Sequence, residues 1–217
     1  MFLGHYGAAL AARSVAPRLP LGTCVLAAQW ADLLWPVLLL AGVERVRITP
    51  GTTVLNPLEF VHYPVSHSLL ALVGWGLALG GLIWWRRRAL ADGVAIAALV
   101  VSHWILDLLV HRPDLPAWPG GPRAGLGLWN SPPATYLLEA GILLVGLVLY
   151  LRATVPRDRV GVLALWGFAL VLVVAYLASV LAPPPASVQA VAVTALAGGW
   201  ALVAWASWID RHRRPAP

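Results

Sequence analysis

Two short stretches hold most of the side chains able to do chemistry. "HYPVSHS" places His62 and His67 five residues apart with Pro64 between them, and "SHWILDLLVHRPD" carries His103, Asp107, His111 and Asp114. Both border strongly apolar runs. His103 and Asp107 are four apart, so on a helix they share one face, one turn above the other. Neutral imidazole with carboxylate suits a divalent cation, zinc first and manganese or iron less selectively. Such an ion also neutralises acids that are costly inside a membrane. Asp32 and His67 bring the donors to four. Pro64 favours a turn into a helix, which leaves His62 over the mouth as an acid/base or a further ligand. A His–Asp hydrogen bond that simply holds helices together is the structural alternative.

Other polar groups are read more modestly. His5 joins the set if the first segment inserts. Glu139, about one turn inside an apolar run, is read as a cap, a partner for an arginine, or a general base. Arg112 and Arg123 are expected either to meet a phosphate headgroup or to anchor the chain at the interface. His111 and Asp114 read as headgroup-level loop residues, with Asp114 paired to Arg112. Asp92 reads as a helix N-cap and His212 as a surface residue.

The elements that must position these groups follow from composition. Of the 217 residues 60% are hydrophobic and 11% charged, against about 25% charged in soluble domains, and the mean hydropathy is +0.78. The expected fold is all-α: one polytopic integral membrane bundle over residues 1–217. About twenty apolar residues cross a bilayer core, and six runs qualify: Leu21–Val43, Pro64–Trp85, Gly93–Val110, Ala134–Leu151, Val160–Leu181 and Ala186–Ile209. "FLGHYGAALAA" is too short to span and reads as a half-inserted or interfacial helix, held at the surface by Arg13 and Arg18. It lacks the positive start of a signal peptide and is expected to be retained. The segments "ERVRITPGTTVLNPLEF" and "HRPDLPAWPGGPRAGLGLWNSPP" read as loops.

All 15 basic residues are arginine, and the net charge of +6 is distributed between apolar runs. That pattern belongs to membrane flanks and excludes a nucleic-acid surface. Eleven arginines fall on one set of flanks; only Arg45, Arg47, Arg112 and Arg123 fall on the other. The positive-inside rule then expects both termini in the cytoplasm and the first and third loops outside. At 1.5 Å per residue, His103, Asp32, His67 and Asp107 lie roughly 5–16 Å below the outer surface, depths that permit one pocket. The single Cys24 excludes an internal disulfide and a thiolate cluster.

The order of these residues resembles a known family. "GHYGAA", "QWADLLWP", "HYPVSHS" and "SHWILD" are similar to elements of the bacterial membrane-bound metal-dependent hydrolases, and more remotely to the ligand order of zinc-dependent phospholipase C. The likeness covers residues 4–114; the helices of 134–209 carry no motif. It implies an inner-membrane hydrolase with His5, Asp32, His67, His103 and Asp107 as metal ligands and His62 as ligand or acid/base. The chain departs from the pattern at Trp30, where members carry a second aspartate, and at "HYPVSHS", which has no arginine after its first histidine. One ion, zinc, is therefore expected rather than two. The expected reaction is hydrolysis of an ester or phosphodiester of a membrane lipid or lipid-linked substrate, with Asp32, His62 and Glu139 as catalytic candidates and Arg112 and Arg123 as substrate contacts. An ion- or proton-coupled transporter, a haem-binding membrane protein and a purely structural bundle are the alternatives.

Overall fold

The computed structural model describes residues 1–217. The chain is all-α, with nine helices and three two-stranded ribbons. In order the helices are α1 (Leu3–Val15), α2 (Leu21–Ala28), α3 (Trp30–Leu40), α4 (Pro64–His67), α5 (Leu69–Arg87), α6 (Leu90–Val110), α7 (Pro132–Ala153), α8 (Arg159–Leu181) and α9 (Val188–Arg211). The five helices α5 to α9 are each 19–24 residues long and apolar enough to cross a membrane. Only 17–39% of the residues in their apolar windows are buried, and Leu77, Leu137 and Leu163 stand on outward faces. An apolar exterior of this kind is what lipid, not water, accommodates.

The first expected span is not one helix. It is divided at Gln29 into α2 and α3, bent by 53°. The second expected span starts later than Pro64. Pro64 does open a helix, the single turn α4, but Ser68 is extended (ψ 144°) and its hydroxyl accepts from the Ala71 N–H to start α5. Asp92 is not the cap of α6. The cap position is Ala89, and Asp92 sits in the first turn, where it takes a 2.7 Å bond from Arg87 Nε.

The loops also differ from their expected form. Residues 45–62 form a hairpin of β1 (Arg45–Ile48) and β2 (Leu58–His62), antiparallel, with an irregularity between Arg45 and Val46. Val46 and Phe60 turn inward and build a small core with Trp35, Tyr63 and Leu115. Residues 115–116 (β3) pair with 123–124 (β4). Residues Thr154–Pro156 (β5) pair with Arg213–Pro215 (β6), tying the α7–α8 turn to the segment after α9.

The main core gathers residues of α1, α2, α6, α7, α8 and α9 around Leu10, Val25, Val100, Leu165 and Leu172, all fully buried. Arg13 does not lie at the surface as expected; it is buried and donates to the Leu19 carbonyl. The helix α1 lies along α7, and its start is fixed by Glu139 of α7, which accepts from the Phe2 N–H (3.0 Å) and the Gly4 N–H (2.9 Å). Two backbones meet there because glycines face each other. A Cβ on Gly7 falls 2.5 Å from the Ile142 carbonyl oxygen, and one on Gly146 runs into the Gly7 backbone.

Two outcomes follow. Gly146→Leu should force α1 off α7 and lower stability by about 1–3 kcal/mol or more, whereas Gly141→Ala, in open space, should be tolerated; unfolding in mixed micelles reads both. Asp158, at the cap of α8, is held below the ordinary carboxylate range by the His212 imidazole at 2.7 Å and by the Gly161 N–H. Its contribution is present above the unfolded carboxylate pKa and is lost as pH falls through the lower folded value. The stability gap between wild type and Asp158→Asn should thus close on acidification to below about pH 4; a gap that persists there would refute the pairing.

Candidate metal centre

The site is built from four separate segments. The helix α6 sets His103 and Asp107 one turn apart, and His111 follows one turn further, just past the helix end. The one-turn α4 carries His67, the second half of the bent pair carries Asp32, and α1 carries His5. All but Asp32 are buried: the side chains of His5, His67, His103, Asp107 and His111 are 1–4% exposed and that of Asp32 is 39% exposed.

Asp107 stands in the middle. On one side its Oδ1 faces His5 Nε2 at 3.2 Å and meets the Met1 amine. On the other, its Oδ2 faces three imidazoles: His103 Nε2 at 3.3 Å, His111 Nε2 at 3.7 Å and His67 Nε2 at 3.9 Å. Asp32 Oδ1 closes the same space, 3.5 Å from His67 Nε2 and 3.8 Å from His103 Nε2. His5 lies flat on His103, centroids 3.7 Å apart and planes 6° from parallel.

The protons on three of these rings follow from their other nitrogen. His103 Nδ1 is 2.8 Å from the Ala28 carbonyl, which only accepts, so Nδ1 carries the proton. That carbonyl is available because the bend at Gln29 takes it out of the helical ladder: Leu33 N–H bonds Gln29, and no backbone N–H bonds Ala28. His67 Nδ1 is 2.7 Å from Ser66 Oγ, whose own proton goes to Glu44 Oε2 at 2.5 Å. The hydroxyl therefore accepts from Nδ1. His111 Nδ1 is 3.0 Å from Asp114 Oδ1, again an acceptor. In their neutral forms all three rings aim a bare Nε2 lone pair at Asp107 Oδ2, and two aim it also at Asp32.

Lone pairs facing carboxylates repel unless a cation lies between them. Direct charge-assisted hydrogen bonds run about 2.7–2.9 Å, shorter than any of the five separations. Two donors each about 2.0–2.2 Å from one tetrahedral zinc stand roughly 3.3–3.6 Å apart, close to what is seen. His103 Nε2 is buried with no hydrogen-bond partner. The buried His/Asp group therefore fits a divalent cation, with His111 beside it. Two overlapping triads, His5–His103–Asp107 and Asp32–His67–His103, have the proximity a metal ion needs. With Nδ1 committed to Ala28, His103 brings only Nε2 to either. The held Nδ1 atoms supply the outer support that metal-binding histidines usually have.

Burial keeps the His111 imidazole below its ordinary value, hence neutral at pH 7. It also pushes the Tyr63 phenol above its usual range, so Tyr63 stays a donor to Asp114 Oδ1 at 3.3 Å. By its sequence position His111 reads as a headgroup-level loop residue; the structure places it in the cluster. The signal existed, since 103, 107 and 111 continue one helical stripe. Glu44 and Ser66 were not singled out. Glu44 is buried, accepts from the Val65 and Ser66 N–H groups, and orients His67 through Ser66. Nothing in its local sequence marks that role.

Several expected site residues stand elsewhere. His62 is exposed at the end of β2, paired with Arg45, because the strand alternation turns Tyr63 inward instead. It is neither in the cluster nor over it. Glu139 is not placed as a base, because its oxygens receive the N–H groups that begin α1. Arg112 is paired, 3.0 Å from Asp114 and 3.8 Å from Glu59. Arg123 is exposed, with one N–H on the Val61 carbonyl at 3.1 Å.

Purified protein loaded with zinc and dialysed should retain stoichiometric metal by elemental analysis. His103→Ala and Asp107→Ala should lose it, Ser66→Ala should weaken it about 10–100-fold, and His62→Ala should leave it unchanged. Equal retention in all five proteins would remove the site. Comparison of the chain with family models, with curated proteins and with solved structures gives no match.

Proposed function

We propose that the chain is a membrane-embedded hydrolase that uses one divalent cation, zinc, which His67, His103 and Asp107 would hold with one position left for water, Asp32 standing beside it as the base. The observation that carries this reading is the convergence of three Nε2 lone pairs on a buried carboxylate. The sequence likeness to membrane-bound metal-dependent hydrolases points the same way. When bound, the ion lowers the pKa of a coordinated water and polarises the ester or phosphoryl oxygen.

The chain's own residues supply the rest. His67 and His103 are fixed in one tautomer by Ser66 and by the Ala28 carbonyl. Asp32 is the only member of the cluster open to its surroundings, so substrate reaches the site past Asp32. Its carboxylate takes the proton of the attacking water as the new bond to carbon or phosphorus forms. The bond to the leaving alcohol oxygen breaks, and the proton returns to that oxygen. A lipid or lipid-linked ester is the favoured substrate, since the half-open Asp32 sits on a helix that is otherwise apolar. Arg123 is the better placed headgroup contact, because Arg112 already has two carboxylates.

In this reading α2 and α3 together make one bent span, giving six with α5–α9, and α1 is the short N-terminal helix. The arginine-rich end faces the cytoplasm together with both termini, in a bacterial inner membrane, and the cluster faces outward. The transporter alternative is less well supported. Leu10, Val25 and Val100 are fully buried between the cluster and the arginine-rich end, and they offer an ion no polar path. A haem slot is also poorly supported, since the His67 and His103 rings lie 5.2 Å apart at 73° with two carboxylates alongside.

The test is direct. Zinc-loaded protein incubated with a bacterial lipid extract should generate a new hydrolysis product seen by mass spectrometry. Asp32→Asn should slow its formation by about 10²–10⁴-fold. An extract unchanged by the loaded wild type, across phospholipid and lipid-linked esters, would overturn the proposal.

A further inference from the structure

At the end of the bundle away from the cluster, the chain builds a second polar site. A cavity of about 190 Å³ is lined by Arg13, Arg18, Arg157, Arg213 and Asp210, with prolines completing its wall and no hydrophobic side chain in it. At about 30 Å³ per water it has room for roughly six waters, enough for a tetrahedral anion. Arg13 and Arg213 are 5% and 4% exposed, unusual for guanidinium groups, which are almost never buried unless paired.

None of the four arginines has an ion-pair partner; the paired arginines of the chain are Arg87 and Arg112. Arg213 is immobilised by neutral acceptors, with Nε on Thr154 Oγ1 at 3.0 Å, Nη1 on the Gly161 carbonyl at 3.1 Å and Nη2 on the Thr154 carbonyl at 3.0 Å. Its flat face lies over the Tyr150 ring, 5.3 Å from the centroid. Arg13 has one N–H on the Leu19 carbonyl, and its buried Nε has no partner. Arg157 uses Nε on the Arg213 carbonyl at 3.3 Å, leaving its terminal nitrogens free. The one acid, Asp210, accepts from the Gly22 N–H at the start of α2 at 3.1 Å. Four cations thus face one carboxylate that is already engaged.

Two buried guanidiniums without a counter-charge are costly, and an unpartnered buried Nε asks for an acceptor. Planar guanidinium forks match phosphate oxygens two at a time. We propose that this cavity binds a phosphate group, with Arg13 and Arg213 as its fixed floor and Arg18 and Arg157 as the arms that close on it. The two sources of such a group are the headgroup of an anionic phospholipid in the adjoining leaflet and a soluble phosphate. The site is independent of the metal cluster and of what that cluster does.

The experiment uses the full chain in a neutral, zwitterionic detergent, with binding read from ligand-induced thermal stabilisation. The probes are inorganic phosphate, short-chain phosphatidylglycerol and short-chain phosphatidylcholine. Stabilisation by phosphatidylglycerol but not by phosphatidylcholine or inorganic phosphate supports the site and names a lipid headgroup. Stabilisation by inorganic phosphate supports it and names a soluble ligand. In either case Arg18→Gln with Arg157→Gln, both exposed positions that leave the buried floor intact, should weaken apparent affinity on the order of tenfold or more. The control Arg86→Gln with Arg152→Gln removes the same charge outside the cavity and should change affinity less than about twofold by screening arguments. No stabilisation by either anion, or equal weakening by both double variants, would overturn the proposal.

Discussion

The structure depends on one carboxylate placed where water does not reach. Asp107 is 2% exposed on a helix whose other faces are apolar. A buried acid survives only where its charge is met. The polar departures from a plain helical bundle at this end of the molecule answer that demand. The α2–α3 bend turns a backbone carbonyl toward His103, and the single turn α4 delivers His67 from a hairpin. The segment after α6 folds back so that His111 and Asp114 join the same network. The hairpin's inward aromatics, Phe60 and Tyr63, wall the His111 ring at 4.9 and 6.3 Å.

The chain separates its chemistry by height. One end holds the imidazole and carboxylate cluster, the other holds eleven of the 15 arginines, and a layer of buried Leu, Val and Ala lies between them. Nothing couples the two ends through polar contacts. Rigid helices running between them, α1 above all, are the physical link: His5 lies near one end of this 13-residue helix and Arg13 near the other.

Much of this was readable from residue order. Five long helices follow from runs of apolar residues, and His103 with Asp107 follows from a four-residue spacing. Asp32 and His67 were singled out because charge and imidazole are rare in such runs. The failures have specific causes. No glycine or proline marks Gln29, so the bend there has no local signature; Pro36, which does, lies inside α3 without breaking it. The alternation of Arg45, Val46, Arg47 and Ile48 was masked by the turn residues that follow, so a hairpin was read as a loop. That misreading carried His62 into the site, since only strand pairing reveals that Tyr63 and not His62 faces inward. Glu44 acts across 22 residues and Glu139 across 137; a contact at that separation is a property of the fold, not of any window of sequence.

The tight seating of α1 against α7 bears on how the molecule is made. The groove that receives α1 is lined by Ile142 and Gly146, which emerge from the ribosome well over a hundred residues after it. A helix of this length, about 20 Å, cannot hold itself across a bilayer in the meantime. The seat of α1 therefore cannot form before α7 is in place, and His5, carried on α1, joins the polar centre only then.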